Sequence, residues 1–146
     1  MARTSTYLNF PRQTEDAFNF YKSIFGGEFG RNHITRFRDM PPQDDAPQMS
    51  EEDLNLVMHV ELSIVGGHVI MGTVAPESMG FNVIVGNNVY INLEPDTRVE
   101  TKKLFDALSA DGTVEMELQD MFWEAYYGSC KDKYGIQWMF NCADQK

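Results

Sequence analysis

The 146-residue sequence has no long apolar run: nothing in it approaches the roughly 18 or more apolar residues of a membrane span. Met1 to Phe10 likewise holds no apolar stretch of signal-peptide length, so the expected location is cytoplasmic, with no membrane partner. Positive charge is scarce, with 12 Lys and Arg against 22 Asp and Glu, a net charge of −10 and a pI near 4.6. Such a surface repels a phosphate backbone, which argues against nucleic acid as a partner. There are two cysteines, Cys130 and Cys142, without the CxxC or Cys/His spacing of zinc and redox motifs, and buried thiols are expected. What is present is core material. Hydrophobic residues make up 42% and aromatics 12%, against 23% charged, enough for one domain or for two half-size modules sharing a core.

Thr14, Glu15 and Asp16 form an acidic helix start, and Ala17, Phe20, Tyr21, Ile24 and Phe25 follow at helical spacing before Gly26-Gly27 stops the turn. A β-branched and aromatic stretch from Glu28 to Phe37 predicts a strand. Arg38 to Asp53, rich in proline and acid, predicts a mobile loop or lid with a solvated surface, and Ser50 with Asp53 outlines a capping box. Leu54 to Ile64 alternates strictly, setting His59 and Glu61 on the more polar face. Gly66-Gly67 then turns the chain into His68 to Val74, forming a hairpin. Beyond a connection rich in glycine, the pattern predicts a strand at Val89 to Leu93. A helix follows to Ser109, capped by Asp96 or Thr97, with Val99, Leu104, Phe105 and Leu108 inward. Strands are predicted at Val114 to Leu118, Tyr126 to Cys130 and Gln137 to Cys142.

The order is β-α-β-β-β twice. Tyr7-Leu8-Asn9-Phe10 matches Tyr90-Ile91-Asn92-Leu93 at an offset of 83, and Gly67 to Met71 resembles Gly135 to Met139 at an offset of 68. The reading is therefore a single α+β domain of two tandem βαβββ modules, about 1–75 and 87–146 with linker 76–86, whose mixed sheet curves around a cavity. In each first strand the alternation sends Leu8 and Phe10, or Val89, Ile91 and Leu93, under the helix. Tyr7, Asn9, Tyr90 and Asn92 take the opposite face, with Met71, Gln137 and Met139 on the last strands. Tyrosines and carboxamides so placed suit a small polar or planar molecule. They also suit a closed core or a dimer contact. Trp123 and Tyr127 gather near a turn where a flat ligand could stack or a second copy could dock.

Glu15-Asp16-Ala17-Phe18-Asn19-Phe20-Tyr21 running to Phe25-Gly26-Gly27 forms one motif. Met121-Phe122-Trp123 with Tyr127-Gly128, leading to Asp132-Lys133-Tyr134-Gly135-Ile136-Gln137-Trp138-Met139, forms another. Together they resemble the PhnB-like group of the vicinal oxygen chelate superfamily, which includes glyoxalase I, extradiol dioxygenases and fosfomycin- and bleomycin-resistance proteins. The resemblance implies paired modules around a cavity, commonly in a homodimer. It places the metal-ligand positions of the superfamily's enzymes at Ser5, Met71, Asn88 and Met139. A hydroxyl, an amide and two thioethers are poor ligands for a hard or borderline divalent ion, so no metal and no cofactor are expected.

His59 beside Glu61 is the one acid-base candidate, with a structural pair as the alternative. Tyr127 and Ser129 occupy the matching positions in the second half. The expected function is metal-independent binding of a small molecule by Tyr7, Asn9, His59, Met71, Tyr90, Asn92, Trp123, Tyr127, Gln137 and Met139. The alternatives are a metal-dependent lyase, isomerase or dioxygenase and, implied by a name often given to similar proteins, a methyltransferase.

Overall fold

A sheet whose first strand lies parallel to its last needs a crossover, and in each half of the chain a helix follows the first strand directly. In the computed structural model, which describes residues 1–30, 33–41 and 48–143, β1 (Thr6–Phe10) leads through Pro11 to Gln13 into α1 (Thr14–Phe25). After β2 (Thr35–Arg36), a 3-10 turn at Phe37–Asp39 and the single turn α2 (Glu51–Leu54), β3 (Val57–Ser63) runs antiparallel to β4 (Val69–Val74). β4 returns parallel to β1, giving the order β1-β4-β3-β2. The second half repeats this with β5 (Ile91–Leu93), α3 (Arg98–Ser109), β6 (Thr113–Asp120), β7 (Tyr126–Lys131) and β8 (Gln137–Cys142), in the order β5-β8-β7-β6. The α+β class and the doubled β-α-β-β-β order are as the sequence predicts. The chain forms two units, Met1–Ile84 and Val85–Lys146. Among the described residues, no helix is long and apolar enough to cross a membrane.

In the first unit α1 buries Thr14, Ala17, Phe18 and Tyr21, so the inward stripe differs from the predicted one: Phe18 is sealed, whereas Phe20, Ile24 and Phe25 are only half-buried. Gly72 accounts for the change. A Cβ there would lie 2.3 Å from Phe18 Cε1, so the bare strand backbone forms the slot that takes the Phe18 ring. Thr14 is drawn in by its hydroxyl, which donates to the Thr73 carbonyl at 2.8 Å.

Three further expectations are corrected in this unit. The strand expected from Glu28 to Phe37 shrinks to Thr35–Arg36. His33 takes φ 58, which interrupts an extended run, and the chain turns into a 3-10 segment at Phe37. Arg31 and Asn32 lie outside the described residues, as do 42–47 of the expected lid. The strand expected from Leu54 begins only at Val57, because Ser50 accepts from the Asp53 amide at 3.1 Å and holds Glu51–Leu54 as a helical turn. Asp53, expected on a solvated acidic surface, is buried. It accepts from Arg12 at 3.0 Å and from the Ser78 hydroxyl at 2.6 Å, and Arg12 also reaches Glu77 at 3.0 Å.

In the second unit α3 buries Thr101, Leu104, Phe105 and Leu108. Val99, expected inward, is 82% exposed, since Thr97 caps the helix by accepting from the Glu100 amide at 3.1 Å and Thr101 donates back to the Thr97 carbonyl at 2.8 Å. These bonds fix the inward face on Thr101, and two residues of helix turn Val99 away from it. Val89 is also exposed, because the strand starts at Ile91. The β7–β8 turn is built on Asp132, whose carboxylate accepts from the Tyr134 and Ile136 amides at 2.8 and 3.1 Å and from Trp138 Nε1 at 2.8 Å. Cys130 and Cys142 are fully buried, and burial pushes the Cys130 thiol up to about 12, which removes thiolate reactivity near neutral pH.

Candidate functional site

In the first unit the alternation that sends Leu8, Phe10, Ile70 and Val74 under α1 sends Tyr7, Asn9, Met71 and Thr73 to the other face. Register joins Tyr7, Met71 and Glu61 in one row across three strands, with Asn9 and Thr73 in the next. Tyr7 reaches along this row, and its hydroxyl lies 3.3 Å from His59 Nδ1. His59 Nε2 lies 3.0 Å from Glu61 Oε2. In the neutral ring, an Nε2–H that donates to the Glu61 carboxylate leaves Nδ1 as the acceptor for the Tyr7 phenol, and this is the tautomer that the two contacts favour. The Glu61 side chain is only 11% exposed and is backed by Gly30, where a Cβ would fall 3.1 Å from Oε1, while the Gly30 amide donates to the Glu61 carbonyl at 2.9 Å. Partial burial raises the Tyr7 pKa above 10.0, with the Thr73 hydroxyl acting in the opposite direction, so the phenol keeps its proton at neutral pH. His68, by contrast, pairs with Thr6 at 2.9 Å, away from this row.

In the second unit Asn92, Met139 and Ser129 form the corresponding row, and Tyr127 stands opposite Asn141. The Trp123 indole donates to Asn141 Oδ1 at 3.3 Å and meets Tyr127 edge-on at 5.8 Å, with the exposed Phe122 ring 4.9 Å from it on another side. Gln137 is 4% exposed. Its Nε2 donates to the Val89 carbonyl at 2.9 Å, and among the described residues its Oε1 has no hydrogen-bond partner. Tyr90 donates to Glu115 at 2.9 Å, which raises its pKa, and Asn92 donates to Glu94 at 2.9 Å. The structure therefore joins Tyr7, His59 and Glu61 in the first unit and Trp123, Tyr127 and Asn141 in the second. Tyr90 and Asn92 are taken up by carboxylates that the sequence reading missed, since Glu115 lies on a different strand and nothing in the spacing announces it.

The pairing also refines the internal repeat. Met71 faces Glu61 as Met139 faces Ser129, which keeps the offset of 68, but Tyr7 pairs with Met71 where Asn92 pairs with Met139. On the first strands Tyr7 thus corresponds to Asn92 rather than Tyr90, and Ser5 corresponds to Tyr90 rather than Asn88. A slip of two residues preserves the face, which is why the alternation pattern could not reveal it.

The pattern of the 3-demethylubiquinone-9 3-methyltransferase family matches residues 2–140. The chain belongs to this family. The Escherichia coli K12 protein YjdN is 29% identical over 151 residues, covering 97% of this chain and 96% of its own. Protein PA1353 of Pseudomonas aeruginosa superposes with a TM-score of 0.81 at 27% identity over 99% of each chain. The PhnB protein of Bacillus cereus superposes with a TM-score of 0.69 at 25% identity over 97% of this chain and all of its own. At 19% identity and a TM-score of 0.58, a glyoxalase/bleomycin resistance protein/dioxygenase family enzyme of Burkholderia phytofirmans shares the fold, over 94% of this chain and 97% of that one. This likeness shows the fold that the PhnB-like motifs imply.

The metal enzymes of the superfamily that the PhnB-like motifs resemble set a test that this chain's residues do not meet. Ser5 Oγ donates to Met71 Sδ at 3.7 Å, so two of the expected ligand positions are occupied with each other. Met139 lies between an amide and a hydroxyl. The nearest good donors, His59 and Glu61, are hydrogen-bonded together, and among the described residues no three His, Cys, Asp or Glu side chains gather. A thioether, a hydroxyl and one imidazole–carboxylate pair do not fit a hard or borderline divalent ion.

Proposed function

We propose that this family member is a metal-independent small-molecule-binding protein that uses the polar and aromatic face of its sheets. The observation that carries the reading is the Ser5–Met71 contact, in which residues at ligand positions of the metal enzymes are paired as an ordinary side-chain contact. Beside it, Tyr7 and Asn9 present a phenol and a carboxamide from a strand whose Leu8 and Phe10 are buried on the opposite face. Such a face orients a ligand by directional hydrogen bonds and an aromatic contact. The family's methyltransferase name does not carry over to this chain's residues. β1 enters its helix through Pro11-Arg12-Gln13 and β5 through Glu94-Pro95-Asp96-Thr97, not through a glycine-rich phosphate-binding turn, and the sheets are mixed rather than doubly wound.

The test is thermal unfolding and amide chemical-shift perturbation with nicotinamide and benzamide as probes, in wild type and in Asn9→Ala and Asn92→Ala. Binding that raises the melting temperature of wild type and weakens at least tenfold in one of the variants is expected. Undiminished binding in both variants would refute the assignment of this face.

A further inference from the structure

We propose that Glu61, His59 and Tyr7 form a metal-free proton relay in which the Tyr7 oxygen is the group that meets the substrate, a small carbonyl compound with an acidic α-hydrogen. This rests on the reading of the same face as a ligand-binding surface. The arrangement has the order of a carboxylate–imidazole–hydroxyl triad. Glu61, mostly buried, accepts from His59 Nε2 at 3.0 Å and fixes the ring, and Nδ1 is left facing the Tyr7 hydroxyl at 3.3 Å. Gly30 closes the back of Glu61, so the carboxylate has little room to swing away from the imidazole. At the other end of the relay the phenol is half-exposed, and its oxygen keeps one lone pair for an incoming hydrogen beside its contact with the Thr73 hydroxyl. A structural His–Glu pair does not need a third hydroxyl on the free ring nitrogen.

The step balances without an added reagent. The substrate C–H bond breaks, its proton passes to Tyr7 Oη, and the phenol proton passes to His59 Nδ1. The electron pair moves onto the carbonyl oxygen as an enolate. The imidazolium that forms is held against the Glu61 carboxylate, which is why a phenol that is protonated at rest can still act as a base. Asn9 lies two residues along the same strand and the same face, roughly 7 Å away by strand geometry. Its exposed carboxamide is placed to donate to the developing oxyanion of a compound a few atoms long. Reversal returns a proton from the relay to carbon, so the activity to look for is hydrogen exchange at the α-carbon. Tyr7 is the catalytic residue, and His59 and Glu61 act through it.

The test uses hydroxyacetone in deuterated buffer, with loss of its α-hydrogen signals followed by proton NMR, and ¹⁵N NMR of His59 in the same protein. Wild type should exchange the signals above the buffer rate, and Tyr7→Phe and Glu61→Gln should each reduce the excess at least tenfold while still showing hydroxyacetone shifts at Asn9. His59 should carry its hydrogen on Nε2. Equal exchange in wild type and Tyr7→Phe, no exchange by wild type, or a hydrogen on Nδ1 would each overturn the relay. Hydroxyacetone shifts at Asn9 without exchange would sink the relay and leave the binding reading standing. Absence of shifts at Asn9 with hydroxyacetone, nicotinamide and benzamide alike would sink the binding reading itself.

Discussion

The two units repeat one strand order and bury their helices through the same spacing, Thr14, Ala17, Phe18 and Tyr21 against Thr101, Leu104, Phe105 and Leu108, yet they put different chemistry on equivalent positions. Opposite Met71 stands Glu61, preceded by His59; opposite Met139 stands Ser129, preceded by Tyr127. The first unit therefore carries a titratable chain ending at Tyr7, and the second an aromatic and amide cluster of Trp123, Tyr127 and Asn141. The cores differ in a compensating way. In the first, Gly72 faces Val60 and receives Phe18; in the second, the glycine has moved to the neighbouring strand as Gly128, and Phe140 faces it and meets Phe105 edge-on at 5.3 Å. Periodicity and strand parity define the fold, volume is balanced between neighbouring strands, and the open face is free to change its chemistry.

The comparison breaks most visibly at Gly72. Gly72→Val places a side chain into the sealed Phe18 ring, and urea unfolding should show a loss of about 3 kcal/mol. Phe18→Ala is itself costly, but in the Gly72→Val background it should cost clearly less than alone, because the two side chains compete for one slot. Additive losses would mean that the slot does not couple them.

A smaller effect is expected at Arg12, an anchor of the first unit's loop. The Ser78 hydroxyl and then the Arg12 guanidinium hold the Asp53 carboxyl below its ordinary value of 3.8. A depressed folded-state pKa gives stability that is present above the ordinary value and lost as pH falls through the folded one. Arg12→Ala should therefore unfold at lower temperature than wild type at pH 7, and the gap should close as pH falls below 3.8. A gap that stays constant into acid would contradict the pairing. The smallest effect separates the helices. Thr97 caps α3 with its side chain, whereas Gln13 at the start of α1 makes no side-chain cap bond, so Thr97→Ala should cost about 1 kcal/mol and Gln13→Ala next to nothing in the same unfolding assay.

These contrasts also mark how far the residues could be read in advance. α1 has the bounds Thr14–Phe25 and β8 the bounds Gln137–Cys142 that their spacing predicts, because amphipathic periods and glycine stops are local signals. The inward stripe of α1 was not legible. Phe18 turns in only because Gly72, far along the chain, leaves room for it. The same limit holds on the open face. Parity alone places Tyr7, Asn9, Met71 and Glu61 together, whereas the tie from Tyr7 to His59, the exchange between Ser5 and Met71, and the capture of Tyr90 by Glu115 depend on register and side-chain reach. Asp53 failed for a third reason, since an acidic loop reads as solvated until Arg12 and Ser78 supply partners.

The proposal that this chain, whose motifs resemble a superfamily with metal enzymes, binds its ligand without a metal is tested most directly by the thermal unfolding of chelator-treated protein. Zn²⁺, Ni²⁺, Mn²⁺ and Fe²⁺ are added back one at a time. Specific binding to the native state must raise the melting temperature by mass action. The account predicts the same melting temperature with each ion as without it; a stoichiometric rise with any one of them would contradict it.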